Sequence, residues 1–138
     1  MSTPLTPEEA LIFAMVTTAA IDRRITEDEL KRIETIVKDL PPFHAYDAGW
    51  FQREAQACGR VLAGPSGVDR VLDLIRTALP THLAETAYVL AAEVAATDLK
   101  VKVEEVQFLD MLAERLQLDR LVCAALTRAA KARHQPVA

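Results

Sequence analysis

The chain contains its own pattern twice. Ala19-Ala20-Ile21-Asp22-Arg23-Arg24-Ile25-Thr26-Glu27-Asp28-Glu29-Leu30 returns as Ala95-Ala96-Thr97-Asp98-Leu99-Lys100-Val101-Lys102-Val103-Glu104-Glu105-Val106, so that Asp22 recurs as Asp98 and Glu29 as Glu105 at one common offset of 76 residues. The correspondence extends outward: Pro4 answers Pro80, Ala14 and Val16 fall opposite Leu90 and Ala92, and Ile33, Ile36 and Leu40 fall opposite Leu109, Leu112 and Leu116. Self-similarity of this kind fixes the structural unit before any motif is considered. Each copy reads as an apolar helix, a short acidic turn and an amphipathic helix. The chain is therefore expected to be all-helical, with two such hairpins at its heart.

The remaining segments fit around that pair. Thr6-Pro7-Glu8-Glu9 predicts a capped helix start, and apolar spacing carries that helix to about Ile21. A second helix is expected from Glu27 to about Asp39, ended by Pro41-Pro42. Two spacer helices follow, one capped by Asp47 and broken at Gly64-Pro65-Ser66-Gly67, the other from Val68 to Leu79. The second copy starts after Pro80 with Thr81 as cap. Its first helix, Leu83 to about Thr97, is the least polar in the chain and belongs at the centre, packed on its counterpart through alanines. A sixth helix, Val103 to Leu116, is expected to bury Val106, Leu109, Met111 or Leu112, and Leu116. A last helix from Asp119 to Arg133 would turn Leu121, Val122, Ala125, Leu126 and Ala129 inward. This gives one domain over residues 1–133, with repeat one at 5–40, spacer helices at 43–79, repeat two at 81–117, the last helix at 118–133 and a flexible tail at 134–138.

Chemistry, if any, sits in the turns. Thr26-Glu27-Asp28-Glu29 has the form of a capping box, and acids in a first helical turn suit the positive end of the helix dipole. Carboxylates gathered at a loop-to-helix junction also suit a hard cation. Capping accounts for the first copy unaided. In the second, Lys102 stands at the Thr26 position and has no acceptor, yet Asp98, Glu104 and Glu105 persist. The expected cation site comprises Asp22, Asp28, Glu29, Asp98, Glu104 and Glu105, with calcium or magnesium favoured over zinc by the all-oxygen donor set. An EF-hand is excluded, because a twelve-residue loop counted from Asp22 places Arg24, Glu27 and Ile33 where acids, Gly and Glu are required.

A helix ending in Ala-Ala-x-Asp, followed by x-x-Ile/Val-x-x-x-Glu and an aliphatic helix, and occurring twice, resembles the TerB-like family of tellurite-resistance proteins over residues 5 to about 117. The family turn reads Ala-Asp-Gly with a Ser or Thr cap. Here Arg23 and Leu99 replace the glycines, and Lys102 the second cap. The resemblance implies an all-helical cytoplasmic bundle of about seven helices with a pseudo-twofold axis, a link to tellurite resistance and stress response, and an acidic surface that binds divalent cations. The family's acidic positions match Asp22, Glu29, Asp98 and Glu105.

Composition narrows the function classes. Fifty-one per cent of residues are hydrophobic and four are Gly, which excludes a disordered chain, and no apolar run approaches the ~20 residues of a membrane span. The start carries no signal-type segment, so a cytoplasmic location is expected, with Cys58 and Cys123 as buried, reduced, structural thiols. The net charge is -4. Residues 115–138 hold Arg115, Arg120, Arg128, Lys131 and Arg133 against Asp119, or +4, which leaves -8 for residues 1–114. The basic tail lacks aromatics for base stacking, and overall acidity opposes phosphate binding, so no nucleic-acid partner is expected. His44, His82 and His134 form no ligand or catalytic spacing, and there is no Gly-rich phosphate loop. The sequence reads as a non-enzyme, a monomer or weak homodimer, whose acidic turns either hold a cation or dock a protein. The alternative is a metal-independent adaptor whose acids only cap helices, using an apolar groove or the basic last helix. A metal-dependent hydrolase built on the same carboxylates is a further reading.

Overall fold

A computed structural model of the protein describes residues 4–21, 24–43, 46–97 and 102–138. Among these residues there are seven α-helices and no strand: α1 (Pro7–Ala20), α2 (Glu27–Val37), α3 (Ala48–Ala63), α4 (Gly67–Ala78), α5 (Ala84–Ala96), α6 (Val103–Arg115) and α7 (Arg120–Arg133). Short 3-10 turns occupy Pro41–Phe43 and Thr81–Leu83. The fold is all-α, as the sequence predicts.

Local chemistry sets most of the boundaries. At the start of α1 the Glu9 amide donates to Thr6 Oγ1 at 3.2 Å and the Thr6 amide to Glu9 Oε1 at 2.7 Å, with Pro7 in the first turn. Asp47 accepts from the Trp50 amide and so opens α3. Asp119 accepts from the Leu121 and Val122 amides to open α7. The break before α4 requires its glycine, since a Cβ on Gly67 would lie 2.2 Å from the Leu62 carbonyl oxygen at the end of α3. Thr81 does not cap α5. It heads a 3-10 turn in which the Leu83 amide donates to the Pro80 carbonyl, and that turn supplies the partner a side chain would otherwise provide.

The core is built on α1 and α5. Every residue of α1 from Ala10 to Ala19 is buried, as expected of a helix that is apolar all round. α5 lies against it as its most extensive partner, α3 and α4 cover other sides of α1, and α7 packs on α5. Ala14, Ala87 and Ala91 are fully enclosed; their small side chains let the two helices approach closely. In α5, Ala87, Tyr88 and every residue from Leu90 to Ala95 are buried as well, so it lies at the centre with α1, as the sequence predicts.

Two helices present faces other than those the sequence suggests. In α6 the buried positions are Glu105, Phe108, Leu109 and Leu112, whereas Val106 and Met111 are exposed. In α7 the inward arc is Val122, Cys123, Leu126, Thr127 and Ala130, while Leu121 is 81% exposed and Ala125 and Ala129 face outward. The six residues 121–126 are all apolar. Periodicity therefore leaves the phase of α7 open, and contact with α5 chooses it. α6 ends in a Schellman turn, with the Leu118 amide donating to Ala113 O and the Gln117 amide to Glu114 O. That geometry puts Gln117 at φ 55°, where glycine is the usual occupant.

Candidate functional site

The first acidic turn is a complete capping box. The Glu29 amide donates to Thr26 Oγ1 at 3.2 Å, and Glu29 Oε1 accepts from the Thr26 amide at 2.9 Å. The side chain of Glu29 is folded back and buried, while Glu27 and Asp28 are exposed. Glu29 also lines a small cavity with Ala19, Arg32, Ile33, Ile36, Val94 and Thr97, so the first turn lies beside the end of α5 in the second copy.

In the second turn Glu105 is 2% exposed, and its Oε1 accepts from the Lys102 amide at 3.0 Å. This corrects the expectation that Glu105 persists without a capping role. Half of the box survives, because the back-bond needs only the glutamate and the backbone, whereas the forward bond needs a side-chain acceptor that lysine lacks. Glu104 is exposed. Asp22 and Asp98 lie outside the described residues, as do Arg23 and Leu99. Among the described residues no group of three or more His, Cys, Asp or Glu side chains is arranged to hold a metal ion.

A larger cleft lies elsewhere. α6 and α7 are joined by only Leu116–Asp119, yet they barely touch each other, and both rest on α5. Between them opens a cleft of about 870 Å³. Its floor is Tyr88, Ala92, Ala95 and Ala96 of α5 with Leu109 of α6 and Cys123 of α7. The Tyr88 hydroxyl and Thr127 Oγ1 are paired at 3.1 Å, which satisfies the polar groups of the floor. The walls differ in charge: Asp110 and Glu114 on α6, Arg120, Arg128 and Lys131 on α7.

No protein-family model, no curated protein and no solved structure matches this chain.

Two further buried groups shape the neighbourhood. Glu93, an acid in the middle of the apolar run of α5, is buried and accepts at Oε1 from Arg133 Nε at 2.5 Å, with His134 Nε2 3.2 Å away. It fastens the end of α7 to α5, and it ties down the first residue of the expected tail. A charged residue inside an otherwise apolar helix was the available signal for this clasp, since such a charge is buried only when paired. Cys58 is fully buried, held 3.3 Å from Thr17 Oγ1 and donating to the Phe13 carbonyl, and burial pushes its thiol up to about 12. Cys123 is only half-buried, at the cleft floor. Burial and the nearby Asp119 carboxylate also raise its pKa, which argues against a nucleophilic thiolate. His44 lies outside the described residues, and His82 is exposed in the turn before α5.

Proposed function

We propose that the protein is a non-catalytic, cytoplasmic interaction module of the TerB-like kind, with its two helix hairpins related by a pseudo-twofold axis, which docks a partner-protein segment in the α5–α6–α7 cleft. One observation carries this reading. Two helices connected by a four-residue loop, α6 and α7, barely touch each other, and the cleft between them is lined by Val106 and Ala113 of α6 and Ala124 of α7 above the buried residues of α5. Antiparallel neighbours with so short a connection ordinarily pack on each other, and apolar clefts of this size with a few polar groups are the usual form of binding sites. The test is occlusion. Ala124, exposed on the α7 wall, and Ala96, at the edge of the floor, are replaced singly by Trp, and displayed amphipathic helical peptides are selected against the parent and both variants. Peptides that bind the parent and are lost from the variants support docking in the cleft. Peptides that bind all three equally, or an empty selection, refute it.

A second reading keeps the acidic turns as a divalent-cation site, with calcium or magnesium as the ion. It is supported by the burial of Glu29 and Glu105 at equivalent positions and by the cavity that links Glu29 to Thr97 beside the second turn. An ion bound only by the native state at ~100 times its dissociation constant adds about 2.7 kcal/mol, which is several degrees in Tm for a domain of this size. Chelator-treated protein melted with each ion should show that shift, and an Asp22→Asn/Asp98→Asn variant should lose it. Unchanged melting with every ion leaves the carboxylates as caps.

A further inference from the structure

We infer that the partner docked on the α6–α7 face is a second copy of this chain, in a two-fold dimer that sets α6 of each copy across from α7 of the other. The inference rests on the docking reading above and names its partner. Among the described residues the large apolar side chains left in solvent are Val103, Val106 and Met111 of α6, Leu121 of α7 and Val137 of the tail. Those on helices therefore all belong to the two helices that flank the cleft. Val103 and Val106 share a face of α6 with Asp110, and Leu121 and Ala124 share a face of α7 with Arg128, at the same i, i+3, i+7 spacing. Val106, Asp110, Ala124 and Arg128 line the cleft. The surface offered to a partner is thus made by the walls, since Tyr88, Ala92 and Ala95 of the floor are buried.

Charge then selects the occupant and its orientation. Glu104, Asp110 and Glu114 are exposed along α6, and Arg120, Arg128 and Lys131 along α7, so one sign runs the length of each helix. The charges that could blur this polarity are engaged elsewhere. Arg115 of α6 turns to α4, where it meets Asp73 at 2.8 Å and Asp69 at 3.0 Å. Asp119 is committed to the amides that open α7, and Arg133 to Glu93. A face with acids on one side and bases on the other is its own complement, because in a two-fold contact residue i meets j while j meets i. An axis along the cleft brings each acidic α6 to a basic α7, twice over. An axis across the cleft would bring like to like, which is repulsive. An unrelated partner would have to carry the same two-signed apolar face in the opposite order, whereas this chain already carries it. Two helices of thirteen and fourteen residues, each ~10 Å across and rising ~1.5 Å per residue, give a face of roughly 400 Å² per copy. That area belongs to the class of weak, reversible associations.

The experiment is sedimentation equilibrium of the full chain at concentrations up to about 1 mM, a range suited to a weak dimer. The parent should show a reversible monomer–dimer equilibrium. Two variants reverse one wall each, Asp110→Lys/Glu114→Lys on α6 and Arg128→Glu/Lys131→Glu on α7, and both change only exposed side chains. Each alone should dimerise about tenfold more weakly, because every reversed charge faces its own sign twice in the dimer. Mixed in equal amounts the two should recover the parent's affinity as a heterodimer, in which reversed α6 meets reversed α7 and native meets native. A variant that failed to fold could not produce that recovery. A chain that stays monomeric at every concentration would overturn the inference, and the docking reading would then stand or fall on the peptide selection above. A dimer that both variants form as well as the parent, or two weakened variants that do not rescue each other, would mean association through another face or another axis and would equally overturn it.

Discussion

Replacing Lys102 by Thr should complete the half-formed cap at the start of α6 and stabilise the protein. The backbone is already placed for it. Lys102 sits at φ -83°, ψ 150°, close to Thr26 at φ -89°, ψ 163°, and Glu105 already reaches back to the position-102 amide at 3.0 Å, as Glu29 reaches back to Thr26 at 2.9 Å. A threonine hydroxyl there would take the Glu105 amide, which now donates to the Lys102 carbonyl at 3.1 Å, as Thr26 Oγ1 takes that of Glu29 at 3.2 Å. An N-cap of this type contributes about 1 kcal/mol. Lys102 is half-buried and takes part in an interaction of its own; losing a side-chain contact at such a site costs about 0.5 kcal/mol. The net gain is about 0.5 kcal/mol, or about 1.5 °C in Tm. The mirror change, Thr26→Ala, should cost about 1 kcal/mol and lower Tm by about 3 °C. Both are read by thermal melts and urea midpoints. If Lys102→Thr lowered stability by 1 kcal/mol or more, the two turns would not be equivalent caps, and the reasoning that equates Glu105 with Glu29 would fail.

Other outcomes follow from the same structure. Glu54 has its carboxyl pushed from an ordinary 4.5 up to about 7, by burial first and then by the neighbouring Glu9 carboxylate; a raised acid contributes stability that is complete below pH 4.5 and is lost as pH rises through about 7. Tm should accordingly fall between pH 5 and 8, and Glu54→Gln should flatten that fall and raise Tm at pH 8 by about 3 °C, a figure reduced for solvent screening. Phe108→Ala should cost about 3–5 kcal/mol in urea unfolding, because Phe108 is fully buried, whereas Val106→Ala, at a position 46% exposed, should cost well under 1 kcal/mol; the reverse order would mean that α6 faces the core as its sequence suggests. Thiol titration of the native protein should count one reactive cysteine, Cys123, with Cys58 reacting only on unfolding; two rapidly reacting thiols would contradict the burial of Cys58.

The pattern of elements was legible in the residues because its causes are local. Thr6, Thr26, Asp47 and Asp119 cap helices through bonds to amides two or three residues away, and a proline pair or a Gly-Pro-Ser-Gly run breaks a helix wherever it occurs. The apolar character of α1 and α5 likewise announced that these two would be enclosed and paired. Less of the candidate site could be read. The acidic turns drew attention because they repeat, but the repeat alone does not reveal that Glu105 keeps its back-bond when its cap partner is a lysine. That depends on backbone geometry at Lys102. Glu93 was not singled out in the sequence, because its partners are forty and forty-one residues distant.

What the sequence by itself determined is the number and kind of helices, their starts, and the central pair. Each is set by short-range hydrogen bonding or by total apolarity, neither of which needs a neighbour. What only the tertiary structure decided is the phase of α6 and α7 and the space between them. Both helices carry more apolar surface than one face can bury, so contact with α5 chooses which residues turn inward. Once Phe108 and Ala130 are seated in the core, α6 and α7 are held apart, and the alanines of α5 become the floor of a cleft that no spacing of residues along the chain could have announced.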